Sequence, residues 1–465
     1  MHESTATPRL SSANRRTSAC LSFLLSLTLP ARAQEVSLTL GEAVSRALAQ
    51  NASVQAAIAA EQAGQAGLAE ARARFLPRVD YIESATRSNN PVFVFGTLLT
   101  QEQFTEENFD IEMLNRPDPL NLFRSQFVLQ QSLFNGGRNI LGVKIARAGA
   151  NAVKEARRQA EKTTIFETVR LYYGVQVSAR NLDVVTENVA ATQEDLARAQ
   201  ALYDAGMVTE SDRLALEVRL AGLAEQRIRA SNMLQVMKAE LNQVLGEPLD
   251  RELLLVSPLN VVEPDEEEAT LAELEKTALE RQPQAVQKEL EVEMARLERK
   301  QAAFAFLPAI DFNAGWESDR VSFTGGGGTN WMVGVNLHLN LFEGLAKKAR
   351  LDAAAANHRR KEAERKQAHD QLLLELRRAY LDRTANLERV QVTEGAVQQA
   401  RESHRITETR YEAGLTNVTE LLRSQNAVLE AEVRLLTAVY EQRLAQARLE
   451  LAAGTLDENS RAVSP

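Results

Sequence analysis

Three stretches of the chain alternate apolar and polar residues one by one, and a fourth begins to. Residues 331–341 set Trp331, Val333, Val335, Leu337, Leu339 and Leu341 against Met332, Gly334, Asn336, His338 and Asn340. Residues 310–317 set Ile310, Phe312, Ala314 and Trp316 against Asp311, Asn313, Gly315 and Glu317. Upstream, Phe123, Phe127, Leu129 and Leu133 alternate with Arg124, Gln126, Gln130 and Ser132, and Val79 and Tyr81 begin a weaker run. Period-2 patterning with one apolar face predicts strands, here over about 78–87, 122–133, 309–318 and 330–341. Gly325 to Gly328 read as a flexible loop between the last two.

Between these runs the period changes. Leu182, Val185, Val189, Thr192, Leu196, Ala199 and Tyr203 follow the 3-4 spacing of a coiled-coil stripe. Leu220, Leu223, Ala230, Leu234, Met237, Leu241 and Val244 answer it, interrupted by Arg227. Long helices are predicted over about 138–204 and 209–246, and again over about 345–412 and 417–453. At 1.5 Å per residue the first of these spans roughly 100 Å, which no compact domain holds. The stripes predict an antiparallel hairpin of that length, turning at Gly206 and, in a second copy, at Gly414. A shorter helix is expected over about Leu40 to Arg74, broken near Asn51 and ended by Pro77.

The second copy is a duplication. Leu133-Phe134-Asn135-Gly136 recurs as Leu341-Phe342-Glu343-Gly344, and Tyr203-Asp204-Ala205-Gly206 as Tyr411-Glu412-Ala413-Gly414, both at an offset of 208. Phe75-Leu76-Pro77 recurs as Phe306-Leu307-Pro308 at an offset of 231. The difference, 231 less 208, is a 23-residue insertion within residues 78–132, which marks a surface loop. The chain divides into a segment 1–33, a first repeat 34–246, an acidic linker 247–269, a second repeat 270–454 and a tail 455–465 expected to be disordered.

Composition narrows the function. Glycine and proline are few (22 and 12), aromatics are 5%, and the formal charge of −9 argues against nucleic acid, which needs a basic footprint. Arg9, Arg15 and Arg16 precede an apolar stretch from Ala19 to Pro30, and Ala31-Arg32-Ala33 has the form of an export cleavage site. Cleavage after residue 33 removes four basic residues and one acid, taking the charge from −9 to −12. It also removes Cys20, the only cysteine, so neither a disulfide nor thiol chemistry is expected. His2, His338, His358, His369 and His404 show no metal-ligand spacing, and Gly325–Gly328 lacks the lysine of a phosphate loop. Neither catalysis, a cofactor nor a metal is expected. No segment has 18 consecutive apolar residues. A barrel strand needs only about ten residues of alternating character. Asn, His, Asp and Glu on one strand face suit a watery lumen, and Trp316 and Trp331 near the strand ends suit a lipid interface. Four strands cannot close a barrel, so a spanning chain must oligomerise. A non-conducting coiled-coil scaffold explains the helices equally well, but not the two strand pairs at equivalent repeat positions.

Together, the duplicated Phe-Leu-Pro, the Leu-Phe-Asn-Gly-Gly and the Tyr-x-Ala-Gly turns resemble the TolC-like outer-membrane efflux protein family. The resemblance implies a mainly α fold with a small transmembrane β part, in which long helical hairpins form an α-barrel and four strands per chain contribute to a trimeric twelve-stranded β-barrel. It implies a homotrimer in the outer membrane of a Gram-negative bacterium, with most of its mass in the periplasm. Such a channel conducts passively, joined through a periplasmic adaptor protein to an inner-membrane pump in a tripartite efflux or type I secretion system. Ala205, Gly206, Met207 and Val208, with Ala413, Gly414, Leu415 and Thr416, would form the periplasmic tip where the adaptor docks. Asp212, Tyr411, Glu420 and Arg423 occupy the family's gate positions. Arg423 stands where some members carry an acid, which implies a less cation-selective tip.

Overall fold

The computed structural model describes residues 36–262 and 269–463. The expected export segment 1–33 and the acid run Glu263–Glu268 lie outside the described residues. The two repeats have helices of matching lengths. In the first, α1 (Leu40–Gln50) and α2 (Ala52–Ala73) have 11 and 22 residues. After the strands β2 (Arg78–Ser88) and β3 (Leu120–Phe134) come α5 (Arg138–Asp204) and α6 (Glu210–Leu245), of 67 and 36 residues. In the second, α7 (Leu271–Arg281) and α8 (Pro283–Phe304) have 11 and 22 residues, and α9 (Ala346–Glu412) and α10 (Val418–Ala453) have 67 and 36. The strands β5 (Ala309–Arg320) and β6 (Gly327–His338) lie between them. Two short strands, β1 (Val36–Leu38) and β4 (Leu253–Leu255), pair in parallel.

Asn51 makes the predicted break in the first helical stretch. Its side chain caps α2 by accepting from the Ser53 and Val54 amides, while its own amide donates to the Val244 carbonyl at 3.0 Å. That contact corrects the expected hairpin. Helix α6 stops after 36 residues, about 54 Å at 1.5 Å per residue, so it can pair only the tip half of α5. The other half of α5 packs on α2 and α8. Helix α6 abuts the α1–α2 junction end to end, just as α10 abuts the Arg281–Gln282 junction before α8. Each return limb is therefore two stacked helices.

Of the expected seam residues, Val185, Val189, Thr192 and Ala199 on α5 and Leu223, Ala230 and Leu241 on α6 are enclosed, the others are half-buried, and Tyr203 at the tip is exposed; Leu216, outside the expected stripe, is buried too. The largest apolar core is a waist midway along α5. There Tyr172 and Tyr173 pack with Leu38, Leu40, Val44, Leu241 and Leu245. Tyr172 donates its hydroxyl hydrogen to the Leu38 carbonyl at 2.8 Å and accepts from the Ser257 amide at 2.9 Å, which satisfies a buried polar group on both sides.

The waist takes in parts of two segments outside the repeats. Part of the linker 247–269 is ordered, because β4 pairs with β1 and Leu255 and Leu259 pack on the core. Residues 455–463, expected to be a disordered tail, are anchored there as well: Leu456, Ala462 and Val463 belong to the same core, and buried Lys162 donates to the Leu456 carbonyl at 2.8 Å. Contacts distant in sequence, invisible to local patterning, hold this segment. Ser464 and Pro465 lie outside the described residues.

Strands β2, β3, β5 and β6 form one antiparallel sheet in that order. Strand β6 begins and ends about three residues earlier than its alternation suggested. Gly327 and Gly328 pair with Arg320 and Asp319, so the expected four-glycine loop is partly strand and the turn covers 321–326. The insertion between β2 and β3 is a folded unit. It contains α3 (Pro91–Thr100), a 3-10 turn (Glu106–Phe109) and α4 (Ile111–Asn115).

Burial pushes the Glu450 carboxyl, beside this C-terminal segment, above its usual value of 4.5, against hydrogen bonds from Gln446 and the Ala462 amide. A carboxyl raised in the fold contributes stability that is full below 4.5 and lost as pH rises through the raised value. Glu450→Gln should flatten that fall in thermal midpoint; calorimetry of detergent-extracted protein that finds equal slopes in both proteins contradicts it. Leu456→Ala should cost about 2–5 kcal/mol through the cavity it leaves, seen as a lower thermal midpoint. An unchanged midpoint would mean that residues 455–463 contribute nothing to the waist.

Candidate functional site

The sheet register sorts its residues into two faces. On one face Val79, Leu129, Ala314 and Val333 form a row across all four strands, and Tyr81, Phe127, Trp316 and Trp331 form the next. The four aromatic residues thus lie side by side. Ring centroids are 5.0 Å apart for Tyr81–Phe127 and 6.0 Å for Phe127–Trp316. Phe312 with Val335, and Ile310 with Leu337, extend the apolar band toward the helices. It is left open to the surroundings: Trp331 is 77% exposed and Leu337 67%. One row past the aromatics the band ends in polar groups, where Arg320 pairs with Glu83 at 2.7 Å and donates to Ser125 at 2.6 Å.

The opposite face is mostly polar, carrying Asp80, Gln126, Gln130, Asp311, Asn313, Glu317, Asn330 and Asn336, with Ile82, Val128 and Met332 among them. Near its outer end Arg124 forks onto Asp319 with bonds of 2.7 and 2.8 Å, the bidentate geometry that favours guanidinium over ammonium. No helix among the described residues is long and apolar enough to cross a membrane. Within those residues the outer strands β2 and β6 each have one paired side and one unpaired side.

The other end of the molecule is the pair of helical turns. Gly206 (φ 74°) follows Ala205, the C-cap of α5, and Gly414 (φ 71°) follows Ala413, the C-cap of α9; both adopt the left-handed backbone that glycine takes without strain. Met207 and Leu415 are exposed apolar residues at the apex of each turn. Thr209 then caps α6, and Asp212 closes a capping box by accepting from the Thr209 amide at 3.1 Å and its hydroxyl at 2.7 Å. Asn417 caps α10 through the Glu420 amide at 3.1 Å.

Each of the four residues expected at a gate has an identifiable local environment. Glu420 and Arg423 pair with each other at 2.7 Å, an exposed i,i+3 contact. Tyr411 packs against the small core of Ala199, Leu216 and Val418, as do Leu196 and Leu422. Burial pushes its hydroxyl up, and the negative charges of Asp212 and Asp195 add to the effect. Sequence reasoning missed the residues that join the two hairpins. Arg198 of α5 pairs with Glu412 of α9 at 3.0 Å, and Gln425 of α10 donates to Asp195 of α5 at 2.6 Å. Asp195 and Arg198 are three residues apart on one helix, but their partners lie more than 200 residues away. The aromatic row was half visible: Trp316 and Trp331 stand out by type, whereas Tyr81 and Phe127 needed the register.

Comparison with known proteins agrees with this geometry. The profile of the outer membrane efflux protein family matches residues 43–247 and 274–455. Protein CyaE of Bordetella pertussis is 26% identical over 334 residues, 70% of each chain. The alkaline protease secretion protein AprF of Pseudomonas aeruginosa is 25% identical over 428 residues, 89% of this chain and 83% of that one. The CmeC outer membrane channel of Campylobacter jejuni shares the fold, with a TM-score of 0.78 at 17% identity over 98% of this chain and 96% of its own. With its helical hairpins, its two-faced sheet and this match over most of its length, the chain belongs to the outer membrane efflux protein family, the exit ducts of efflux and secretion systems.

Proposed function

We propose that three copies of the chain close a twelve-stranded barrel in the outer membrane and that substrate passes through it without chemical change. The observation that carries this reading is the four-stranded sheet, apolar and aromatic on one face, polar on the other, and unpaired at both edges. In hydrocarbon each unsatisfied backbone group costs several kcal/mol, so β6 of one copy must pair with β2 of the next. Four strands leave too little circumference for a lumen, whereas twelve exceed the roughly eight that side chains alone can fill. The apolar face then meets lipid, with Trp316 and Trp331 in the interfacial aromatic belt, and the polar face lines water.

The helices project to the opposite side, into the periplasm. A periplasmic adaptor docks on the tips, Ala205–Val208 and Ala413–Thr416, where Met207 and Leu415 offer apolar contact. An inner-membrane pump supplies the energy. Opening requires the two hairpins of each copy to part, which breaks the exposed Arg198–Glu412 ion pair, about 0–1 kcal/mol, and the part-buried Gln425–Asp195 hydrogen bond, about 1.5–3 kcal/mol, a cost that docking can offset. Selection of cargo, whether drug, metal ion or polypeptide, rests with the pump.

The Glu420–Arg423 pair makes a sharp test of the gate. Arg423 neutralises Glu420 across one helical turn, so Arg423→Ala should raise cation over anion permeability in planar bilayers. Glu420→Ala should shift it the other way, and Asp212→Ala should reduce cation preference. Reversal potentials that do not move in any of the three variants would remove these residues from the pore wall. A chain that conducts nothing when reconstituted as an oligomer would overturn the duct itself.

A further inference from the structure

The 23-residue excess of the first outer loop over the second builds a folded unit with a defined seat. Pro91 opens α3, and the Asn90 side chain caps it through the Phe93 amide at 3.1 Å. One side of α3 is enclosed: Val94 and Thr97 are buried, and Gln101, just past its end, is 2% exposed. Inside the unit Phe95, Phe104 and Phe109 stack edge to face, with centroids 5.0 and 5.2 Å apart.

Its seat is on the polar face of the sheet. Leu122, buried beneath the insert, shares strand parity with Arg124, Gln126 and Gln130. Asp319 is fully enclosed, forked by Arg124 and hydrogen-bonded by Thr100 at the end of α3. The Thr100 carbonyl comes so close to Gly328 of β6 that a Cβ there would lie 2.1 Å from it, and any side chain at 328 would displace the insert. Gln101 adds two anchors, donating to the backbone carbonyls of Asn121 at 2.8 Å and Arg320 at 3.0 Å. The insert therefore spans β3 and β5 and reaches β6, the edge on which the next copy must add its strand.

The other side of α3 is left partly open: Phe95 meets Phe104 within the insert, while Val92 and Leu99 are exposed. Val92 (81% exposed), Phe95 (37%) and Leu99 (49%) follow i, i+3, i+7 spacing down one stripe. An apolar stripe is expected to be covered, and lipid cannot cover this one, because the insert sits on the water-facing side of the sheet. The duplication supplies one such insert per chain, so a threefold barrel holds three, all inside the same mouth. We propose that these inserts meet one another by their α3 stripes and constrict the outer mouth of the duct against bulky solutes from outside. This rests on the trimeric barrel of the preceding subsection; the occupant of each stripe is the insert of a second copy.

The test uses the full chain in the outer membrane with Cys20 replaced by serine. Val92→Cys, Phe95→Cys and Leu99→Cys are introduced singly and oxidised, with Val333→Cys on the lipid face as control. Covalent dimers on a heated non-reducing gel are expected from at least one α3 position and not from Val333→Cys. A second arm places Asn313→Cys inside the lumen and labels intact cells with a small maleimide or a long polyethylene-glycol maleimide. The small reagent should label equally with or without the insert, whereas replacing residues 90–118 by a short glycine linker should make the long reagent react about ten-fold faster, since cysteine reactivity follows access. Where the deleted chain fails to assemble, Val92→Lys with Leu99→Lys takes its place. An oligomer on the unheated gel that shows no α3 cross-links and equal long-reagent labelling overturns the constriction and leaves the duct standing. A monomer on the unheated gel overturns the barrel on which both depend.

Discussion

Backbone amides and carbonyls along one side of β2 and one side of β6 have no partner within the described part of a single chain, and most of the architecture follows from that shortage. Water could satisfy them, but the sheet they border presents Val333, Val335, Leu337 and an aromatic row to its surroundings, which is a surface for lipid. In lipid the shortage is removed by closure with further copies. In the proposed trimer, closure determines which face is enclosed, hence which residues meet water, and sets the helices as a ring continuing the barrel. The exposed aromatic and aliphatic surface that would be an aggregation hazard on a soluble monomer is, in this setting, the part that anchors the molecule.

Much of this was legible in the sequence because the signals are local. Period-2 alternation at 310–317 and 331–341 and the 3-4 stripe from Leu182 to Tyr203 each depend only on neighbouring residues, and strands and helices lie there. The change of repeat offset from 231 to 208 likewise locates the insertion between Pro77 and Leu133, where α3 and α4 fold. What escaped was non-local. Nothing near Leu456 announces that it will bury against the waist some 290 residues upstream, where Lys162 meets its carbonyl. The end-to-end stacking of α6 on the α1–α2 junction depends on Asn51 reaching Val244, so a continuous 100 Å hairpin was the natural but mistaken reading of the stripes. At the tip, residue types were readable, but their partners were not. Asp212 is engaged by Thr209 in a capping box.

The two repeats divide their labour unevenly despite equal helix lengths. Both supply a hairpin, a turn and two strands, so the proposed barrel and helical ring would be built from near-equivalent halves. The differences lie at the two ends of the duct. At the periplasmic end, Asp212 in one turn corresponds to Glu420, with its neutralising Arg423, in the other. At the outer end only the first repeat carries the α3 insert, seated by Gln101, Thr100 and Gly328. The matching helix lengths in between are what a continuous bore requires, and the ends are where a duplicated gene can vary without breaking it.

The central claim is that sheet edges close by copying. The most direct measurement is the mass of the detergent-extracted particle from outer membranes, taken before and after heating. The account predicts a particle of three chains that dissociates to one chain on heating. A single chain before heating, or a chain recovered from the soluble fraction without detergent, would contradict it.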